Sequence, residues 1–290
     1  MAEEKENSQI LAERRPVKRG LGFRPSKRLG QHFLKDPHTV HEIISRAGFN
    51  SSDHILEIGA GLGALTLPLA PSVRQISAVE KDPRLTRLLG KRLSRDEVEN
   101  VILVNADILK FDLNRLQRLP GEKIQVIGNL PYNISSPFLE KLINNRDLIS
   151  RAILMFQVEL ARRLVSPPGN RAYGALTVLI QYHARISSLL EVPGEAFYPR
   201  PKVGSMVLEL DFNQPHPRRA GDEKLFTRVV RSAFAHRRKT ILNSFKGSPI
   251  PWSHEAIMTA LNHCAVDPAK RAEELNIDDF LCLSASLTPP

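Results

Sequence analysis

The residues with the most evident chemistry form a short run, Asn129-Leu-Pro-Tyr132, directly after an apolar segment. The side-chain oxygen of Asn129 and the main-chain carbonyl of Leu130 can both accept hydrogen bonds. The proline restricts Leu130 to an extended conformation, which fixes the direction of that carbonyl. Two fixed acceptors can bind the N–H hydrogens of an amine on a planar base and help this weak nucleophile to react. The ring of Tyr132 offers a face on which such a base can stack. The alternative interpretation is a polar exit from a strand.

A glycine-rich turn lies upstream, where His54-Ile-Leu-Glu-Ile runs into Gly59, Gly61 and Gly63. Glycine lets the backbone approach a ligand closely, and the next helix N-terminus offers free N–H groups. A dinucleotide site has the spacing Gly-x-Gly-x-x-Gly. The spacing here, Gly-x-Gly-x-Gly after Glu57, resembles the first motif of S-adenosylmethionine-dependent methyltransferases. A tight strand-to-helix turn without a ligand is the alternative.

Two acidic residues come at the ends of the next two apolar segments. Glu80 follows Ile76–Val79, and Asp107 follows Val101–Val104. The carboxyl ends of strands in an open α/β sheet border one crevice. There, Glu80 would accept hydrogen bonds from ribose hydroxyls, and Asp107 would accept one from an adenine amine. For each residue alone, a solvated carboxylate is the alternative.

Strands and helices that alternate along the chain must position these residues. Short apolar runs lie at Ile55–Ile58, Ile76–Val79, Val101–Val104, Ile124–Ile127 and Ala152–Phe156. Helical segments such as Pro83–Leu93 and Pro137–Ile143 separate them. This alternation predicts an α/β fold, an open, doubly wound, Rossmann-like parallel sheet with helices on both faces. Ser205–Phe212 predicts a last strand at the sheet edge, and the later segments predict helices.

Chain length and composition predict two domains and a tail. The 290 residues, 42% of them hydrophobic, suffice for one large domain and one small domain. Residues 1–26 have few large apolar side chains and predict a flexible basic arm. Prolines mark a linker over residues 213–220. We therefore expect a catalytic domain over residues 27–212 and a helical, RNA-contacting domain over residues 213–290.

The charge distribution favours a nucleic-acid partner. The net charge is +10, and residues 224–246 contain no acidic side chain. The cations that we expect to bind RNA there are Arg228, Arg231, Arg237, Arg238 and Lys239. Clustered phosphates attract such a surface strongly, although a solvated helix face is the alternative.

Cysteine content and hydropathy predict the compartment. Cys264 and Cys282 are too few for a disulfide framework or a typical zinc site. No apolar run approaches the roughly 20 residues of a membrane helix. We therefore expect a cytoplasmic protein that uses no metal and has no membrane span.

Five motifs in order resemble the bacterial KsgA-type ribosomal RNA adenine dimethyltransferases. They are Arg28-Leu-Gly-Gln-His-Phe-Leu34, Glu57-Ile-Gly-Ala-Gly-Leu-Gly63, Asn129-Leu-Pro-Tyr132, Phe197-Tyr-Pro-Arg-Pro-Lys-Val203 and Phe234-Ala-His-Arg-Arg-Lys239. The resemblance covers the chain from Ser26 onwards. It implies a seven-stranded methyltransferase sheet, a small helical C-terminal domain and S-adenosylmethionine as cofactor. It also implies N6,N6-dimethylation of two adjacent adenosines near the 3′ end of small-subunit rRNA, by a monomer acting on a pre-ribosomal particle during ribosome biogenesis.

The resemblance also implies which residues form the site. Those expected to bind the cofactor are Gln31, His32, Leu34, Gly59, Gly61, Gly63, Glu80, Lys81, Asp107, Ile108 and Asn129. His32 departs from the family, which commonly has Asn there; a main-chain contact would survive that change. Asn129, Leu130 and Tyr132 are expected to be catalytic. Phe197 is expected to hold the extruded base against Tyr132, with core packing as its alternative.

Three other functions compete with this interpretation. A related class dimethylates large-subunit rRNA, but it often has Asn-Ile-Pro-Tyr where this chain has Asn-Leu-Pro-Tyr. A non-catalytic RNA-binding factor would tend to lose residues such as Asn129 and Tyr132, which are present. A dehydrogenase using NAD does not match the glycine spacing.

Overall fold

The described part of the protein contains one large sheet and a separate pair of short strands. The computed structural model describes residues 25–236, 238–248, 250 and 252–287. Its strands are β1 (Phe33–Leu34), β2 (His54–Ile58), β3 (Gln75–Glu80), β4 (Val101–Asn105), β5 (Ile124–Asn129), β6 (Ile149–Gln157), β7 (Arg185–Val192), β8 (Phe197–Tyr198) and β9 (Ser205–Asp211). Seven of them form the large sheet in the order β4-β3-β2-β5-β6-β9-β7. The seven-stranded methyltransferase sheet implied by the resemblance is therefore confirmed.

The strands on one side of the sheet are parallel, and the last two pairings are antiparallel. β4, β3, β2, β5 and β6 run in the same direction, whereas β9 is antiparallel to both β6 and β7. The sequence-based placement of the last strand at the edge is therefore wrong. β7 forms the edge, and the sequence did not indicate it because Arg185-Ile-Ser-Ser-Leu-Leu-Glu-Val192 is neither a continuous apolar run nor a regular alternation.

Helices cover both faces of the sheet, and the described elements after residue 220 are all helical. They are α1 (Pro37–Ala47), α2 (Thr66–Leu69), α3 (Pro83–Arg95), α4 (Ser135–Asn144), α5 (Val158–Leu164), α6 (Ala175–His183), α7 (Glu223–Ala233), α8 (Ile241–Lys246), α9 (His254–His263) and α10 (Ile277–Ser286). The side chain of Asp82 caps α3 by accepting a hydrogen bond from the N–H of Arg84, and Pro83 starts the helix. Of the described helices, none is long and apolar enough to cross a membrane.

In the described part of the chain, buried apolar residues form three clusters. One lies on each face of the sheet, and the third fills the helices after residue 220 together with α6. Tyr182 of α6 packs against Phe226 of α7, with ring centroids 4.3 Å apart. α6 therefore joins the sheet to the C-terminal helices, although it lies well before the linker.

A disulfide joins Cys264, just after α9, to Cys282 in α10. Their Cα atoms are 5.7 Å apart. Two cysteines were expected to be too few for a disulfide framework, and the structure indeed contains a single cross-link rather than a framework. It connects the end of α9 to α10 in the C-terminal part, and nothing in the sequence indicated this pairing.

Candidate active site

A crevice of about 1980 Å³ opens at the carboxyl edge of the parallel strands. The predicted cofactor residues all lie along its wall, and so do Leu130 and Tyr132. Among the described residues, no group of three or more His, Cys, Asp or Glu side chains could hold a metal ion. The topology explains the convergence, because most of these residues follow or end neighbouring strands.

The glycine turn forms the floor of the crevice and needs glycine for conformational reasons. Gly59, Gly61 and Gly63 have φ angles of 70°, 58° and 82°, in the left-handed region. A Cβ on Gly63 would lie 2.6 Å from the Leu89 side chain of α3. A Cβ on Gly61 would lie 3.4 Å from the ring of Phe33. The turn therefore lies between α3 and the segment that contains Phe33.

Glu80 both lines the crevice and holds the glycine turn. Its carboxylate accepts hydrogen bonds from the backbone N–H groups of Gly61 at 2.9 Å and Asp82 at 2.7 Å. Burial raises the pKa of Glu80, and these hydrogen bonds oppose the shift. The two backbone donors fix the direction of the carboxylate, while each oxygen retains a lone pair for a ligand hydroxyl.

Glu57 is a buried carboxyl group beneath the turn for which the sequence suggested no role. It is the one acidic residue of β2, and Thr66 donates a hydrogen bond to its Oε2 atom at 2.6 Å. Burial raises the pKa of Glu57 to about 7, and the nearby Glu80 contributes to the increase. The available signal was an acidic residue inside an otherwise apolar stretch of strand.

Asp107 lies at the far end of the crevice, paired with Lys81. The Nζ atom of Lys81 is 2.8 Å from its Oδ2 atom, and the N–H of Leu109 donates to its Oδ1 atom at 3.0 Å. The hydrogen bond from Lys81 is the main reason that the pKa of Asp107 is lowered. The side chain of Ile108 is buried beside it. A ligand amine would therefore meet an ionised, oriented carboxylate.

The segment from Gln31 to Leu34 covers the opposite side of the crevice. Gln31 donates a hydrogen bond to Asp82 at 3.1 Å. The Nδ1 atom of His32 is 2.7 Å from the carbonyl oxygen of Pro199. A carbonyl oxygen can only accept, so Nδ1 carries the hydrogen. These contacts connect the segment to the residues after β3 and to the loop after β8.

Asn129 is oriented by the main chain of His32. Its Nδ2 atom donates a hydrogen bond to the carbonyl oxygen of His32 at 2.9 Å. That partner can only accept, so the assignment of nitrogen and oxygen in the amide is settled. The Oδ1 atom has no hydrogen-bond partner among the described residues, and it remains available to a substrate.

Tyr132 comes three residues after Asn129 and stacks loosely on the ring of His32. The ring centroids are 5.5 Å apart, with an angle of 26° between the planes. The hydroxyl of Tyr132 is 3.5 Å from the Oγ atom of Ser205. The side chain of Leu130 is buried, which leaves its main chain as the part that can contact a ligand.

The structure does not place Phe197 in the crevice, and the sequence-based position of this residue is wrong. Its side chain is 1% exposed and packs in the cluster that contains Leu34 and Val207. β1 and β8 pair Leu34 with Phe197 and Phe33 with Tyr198. Because side chains alternate along a strand, Phe197 points into the core while Tyr198 lines the crevice.

The predicted RNA-binding cations lie on and after α7, away from the crevice. Arg228, Arg238 and Lys239 are exposed, and Arg237 lies outside the described residues. Arg231 is also exposed, but it forms an ion pair with Glu140 of α4 at 2.9 Å. Their role in RNA binding stays a prediction.

Comparison with known proteins identifies related sequences. A family model described as "Ribosomal RNA adenine dimethylase" matches residues 22–288. "Ribosomal RNA small subunit methyltransferase A" of Desulforapulum autotrophicum is 45% identical over 261 residues, 90% of this chain and 91% of the relative. The protein with the same description from Lactiplantibacillus plantarum is 36% identical over 281 residues, 95% of this chain and 94% of the relative.

Two solved structures are similar over most of the chain. A dimethyladenosine transferase from Plasmodium falciparum has a TM-score of 0.71 and 28% identity, and the match covers 86% of this chain and 95% of the other. The 23S rRNA methyltransferase ErmE has a TM-score of 0.65 and 26% identity, with 88% and 99% covered. Both matches extend beyond the sheet into the C-terminal helices.

Proposed function

Because the chain belongs to the ribosomal RNA adenine dimethylase family, we propose that it dimethylates the N6 amines of two adjacent adenosines near the 3′ end of small-subunit rRNA. The methyl groups come from S-adenosylmethionine. The observation that supports this reaction best is the orientation of Asn129, whose amide nitrogen is engaged by His32 and whose oxygen is available. An acceptor at this position suits an amine nucleophile.

The crevice fits S-adenosylmethionine. The glycine turn and the ring of Phe33 form a narrow cradle that a Cβ on Gly61 would begin to fill. Glu80 would accept hydrogen bonds from the ribose hydroxyls, and Asp107 would accept one from the adenine amine. Leu34 and Ile108 would supply apolar contacts. When bound, the cofactor supplies a methyl group on a positively charged sulfur.

The residues of this chain prepare the target amine for attack. Its lone pair is delocalised into the adenine ring, so it is a poor nucleophile until the nitrogen becomes pyramidal. The Asn129 oxygen and the Leu130 carbonyl accept its two hydrogens and favour that geometry. S-adenosylmethionine would supply the methyl group for this attack, and the amine nitrogen would then lose one proton to solvent. Tyr132 holds the extruded base by stacking.

His32 contributes through its main chain. Its carbonyl orients Asn129, and this contact does not depend on the side chain. The family commonly has Asn at this position, and the substitution by His preserves the contact. The imidazole adds a hydrogen bond to Pro199, which connects the cofactor segment to the loop at the crevice mouth.

The exposed cations on and after α7 form the surface that we assign to rRNA. Arg228, Arg238 and Lys239 would contact phosphates, with Arg237 included on the sequence pattern alone. We place the reaction in the cytoplasm, on a pre-ribosomal small-subunit particle bound by a monomer of the protein. Residues 1–24, within the expected basic arm, lie outside the described residues.

Methylation of purified particles tests the proposal. Small-subunit and large-subunit particles from a strain that lacks the enzyme are incubated with the protein and S-adenosylmethionine. Mass spectrometry of the rRNA should then find two adjacent N6,N6-dimethyladenosines in the small-subunit rRNA. Modification of the large-subunit rRNA alone would contradict the proposal and favour the function of the ErmE-like class.

A further inference from the structure

Tyr198 is a large aromatic side chain that lies exposed at the mouth of the crevice. It is 48% exposed and lines the crevice wall, whereas its neighbour Phe197 is 1% exposed in the core. Tyr132 already supplies the face for the target base within the crevice. The reaction therefore leaves the ring of Tyr198 without a role.

The backbone that carries Tyr198 is held on two sides. Tyr198 pairs with Phe33 in the short sheet of β1 and β8. The carbonyl of the next residue, Pro199, accepts the hydrogen bond from Nδ1 of His32 at 2.7 Å. Both partners belong to the segment that covers the cofactor site. The ring is therefore mounted on the crevice wall rather than on a free loop.

Extrusion of a base creates a partner for such a ring. When the target adenosine enters the crevice, the nucleotide beside it loses a stacking neighbour and exposes one face. Protein aromatic rings stack on single-stranded bases with little dependence on sequence. A rigid aromatic face outside the base pocket offers that nucleotide a replacement partner.

We propose that Tyr198 is a positioning residue that stacks on the base adjoining the target adenosine in the same RNA strand. This assignment rests on the proposed function. Because the substrate has two adjacent target adenosines, Tyr198 would hold one of them while the other occupies the crevice. The ring would thereby fix the position of the strand along the crevice mouth.

A double-mutant cycle between protein and RNA tests this stacking. Particles are rebuilt with a synthetic 3′ rRNA segment in which the nucleotide on the 5′ side or on the 3′ side of the target is abasic. Single-turnover transfer of the first methyl group is followed against particle concentration at saturating S-adenosylmethionine. Tyr198→Ala should raise the half-saturating particle concentration about 5-fold to 100-fold on intact RNA. The saturated rate should change much less.

The decisive quantity is the coupling between Tyr198→Ala in the protein and the abasic nucleotide in the RNA. On one of the two abasic substrates, the wild-type enzyme should lose the same affinity, and Tyr198→Ala should lose nothing more. Tyr198→Phe should resemble wild type because it retains the stacking face. Val203→Ala is the matched control, since Val203 is 43% exposed near Tyr198 in sequence but lies outside the crevice wall.

Additive losses on both abasic substrates would overturn the assignment, and so would unchanged affinity in Tyr198→Ala. Circular dichroism and urea unfolding check that each variant is folded like the wild-type enzyme. If the wild-type enzyme does not methylate intact particles, the proposed function fails. If it does and the losses are additive, only the role of Tyr198 fails.

Discussion

Asn129 keeps its oxygen available because its nitrogen donates to the carbonyl of His32. Asn129→Ala should lower the single-turnover methylation rate about 100-fold to 1,000-fold, the usual cost of removing one preorganised group that acts in the transition state. Particle affinity should be nearly unchanged, because interactions that strengthen only in the transition state do not contribute to ground-state binding. Asn213→Ala is the control, since Asn213 is an exposed amide that does not line the crevice. Near wild-type rates for a folded Asn129→Ala enzyme would refute the mechanism.

The buried carboxyl of Glu57 should make the stability of the protein depend on pH. Folding raises its pKa from an ordinary value of 4.5 to about 7. Below pH 4.5 the group is protonated in both states and costs nothing. Between these values only the unfolded state loses the proton, so the free energy of unfolding falls as pH rises, by about 3 kcal/mol in all at about 1.4 kcal/mol per pH unit.

Glu57→Gln should remove this dependence and retain an acceptor for the hydroxyl of Thr66. Urea unfolding at pH 5 and pH 8 measures the effect. The variant should gain stability relative to wild type at pH 8 compared with pH 5. An equal difference between the two proteins at both pH values would show that Glu57 does not change its protonation state on folding.

Single residues show which placements the sequence could predict. Glu80, Asp107 and Asn129 lie together along the crevice, as expected, because each ends or follows a strand and strand ends meet at one edge of a sheet. The sequence did not show to which face of a two-residue strand each side chain points. Phe197 and Tyr198 are both aromatic, and only the pairing with β1 decides which one enters the core. Successive side chains of a strand point to opposite faces, so Phe197 enters the core and Tyr198 faces the crevice.

The glycine turn can be tested as an element, because its glycines are constrained for different reasons. Gly63→Ala should lower the free energy of unfolding by about 2–4 kcal/mol, since the new Cβ would meet Leu89 and the φ angle is 82°. Gly121→Ala is the matched control, because Gly121 has a φ of 74° but no atom within 4 Å of the added Cβ. It should show the backbone cost alone, about 1 kcal/mol. Urea unfolding compares them, and equal losses would contradict the packing argument.

The strands of the sheet were predictable where their residues form a largely apolar run in the sequence. The five parallel strands were found within a few residues because each contains a largely apolar run. This holds even for β4, which lies at the sheet edge and has no buried residue. β9 and its neighbour β6 were found, but its other neighbour, β7, was not. β7 has the sequence Arg-Ile-Ser-Ser-Leu-Leu-Glu-Val, without alternation, since it is an edge strand with a β-bulge opposite β9. Its pairing decided the order at that end of the sheet.

The junction between the sheet and the C-terminal helices should be sensitive to acid. His183, at the end of α6, is buried, and burial lowers its pKa from an ordinary value of 6.5 to about 4. Arg219 lies 3.4 Å from its Nδ1 atom and can only donate, so the ring is neutral. Above pH 6.5 both states are neutral and the stability is fully present.

As pH falls from 6.5 to about 4, His183 binds a proton in the unfolded state but not in the folded state. The free energy of unfolding should fall by about 2–3 kcal/mol over this range. His183→Gln should reduce that loss, as measured by urea unfolding at pH 7 and pH 4.5. His263→Gln, on the exposed end of α9, is the control. If wild type and His183→Gln lose the same stability in acid, the junction is not the sensitive point.

At the scale of the whole molecule, the active site and the proposed RNA surface are separate, and their contributions should be separable. Replacing Arg228, Arg238 and Lys239 by Ala should weaken binding to small-subunit particles. The slope of log affinity against log salt should fall by about 1 for each phosphate that is no longer neutralised. The affinity for S-adenosylmethionine should not change, because none of the three residues lines the crevice.

Charge alone cannot explain such a result if a matched variant behaves differently. Arg87, Lys91 and Arg95 are exposed cations on α3, on the sheet side of the molecule and outside the crevice wall, and their replacement by Ala removes the same net charge. A general attraction between a basic protein and RNA would weaken equally in both triple variants. A docking surface on α7 predicts a flatter salt dependence only for the first. Equal slopes in the two variants would show that the cations after residue 224 do not contact phosphates and that the particle binds another face of the protein.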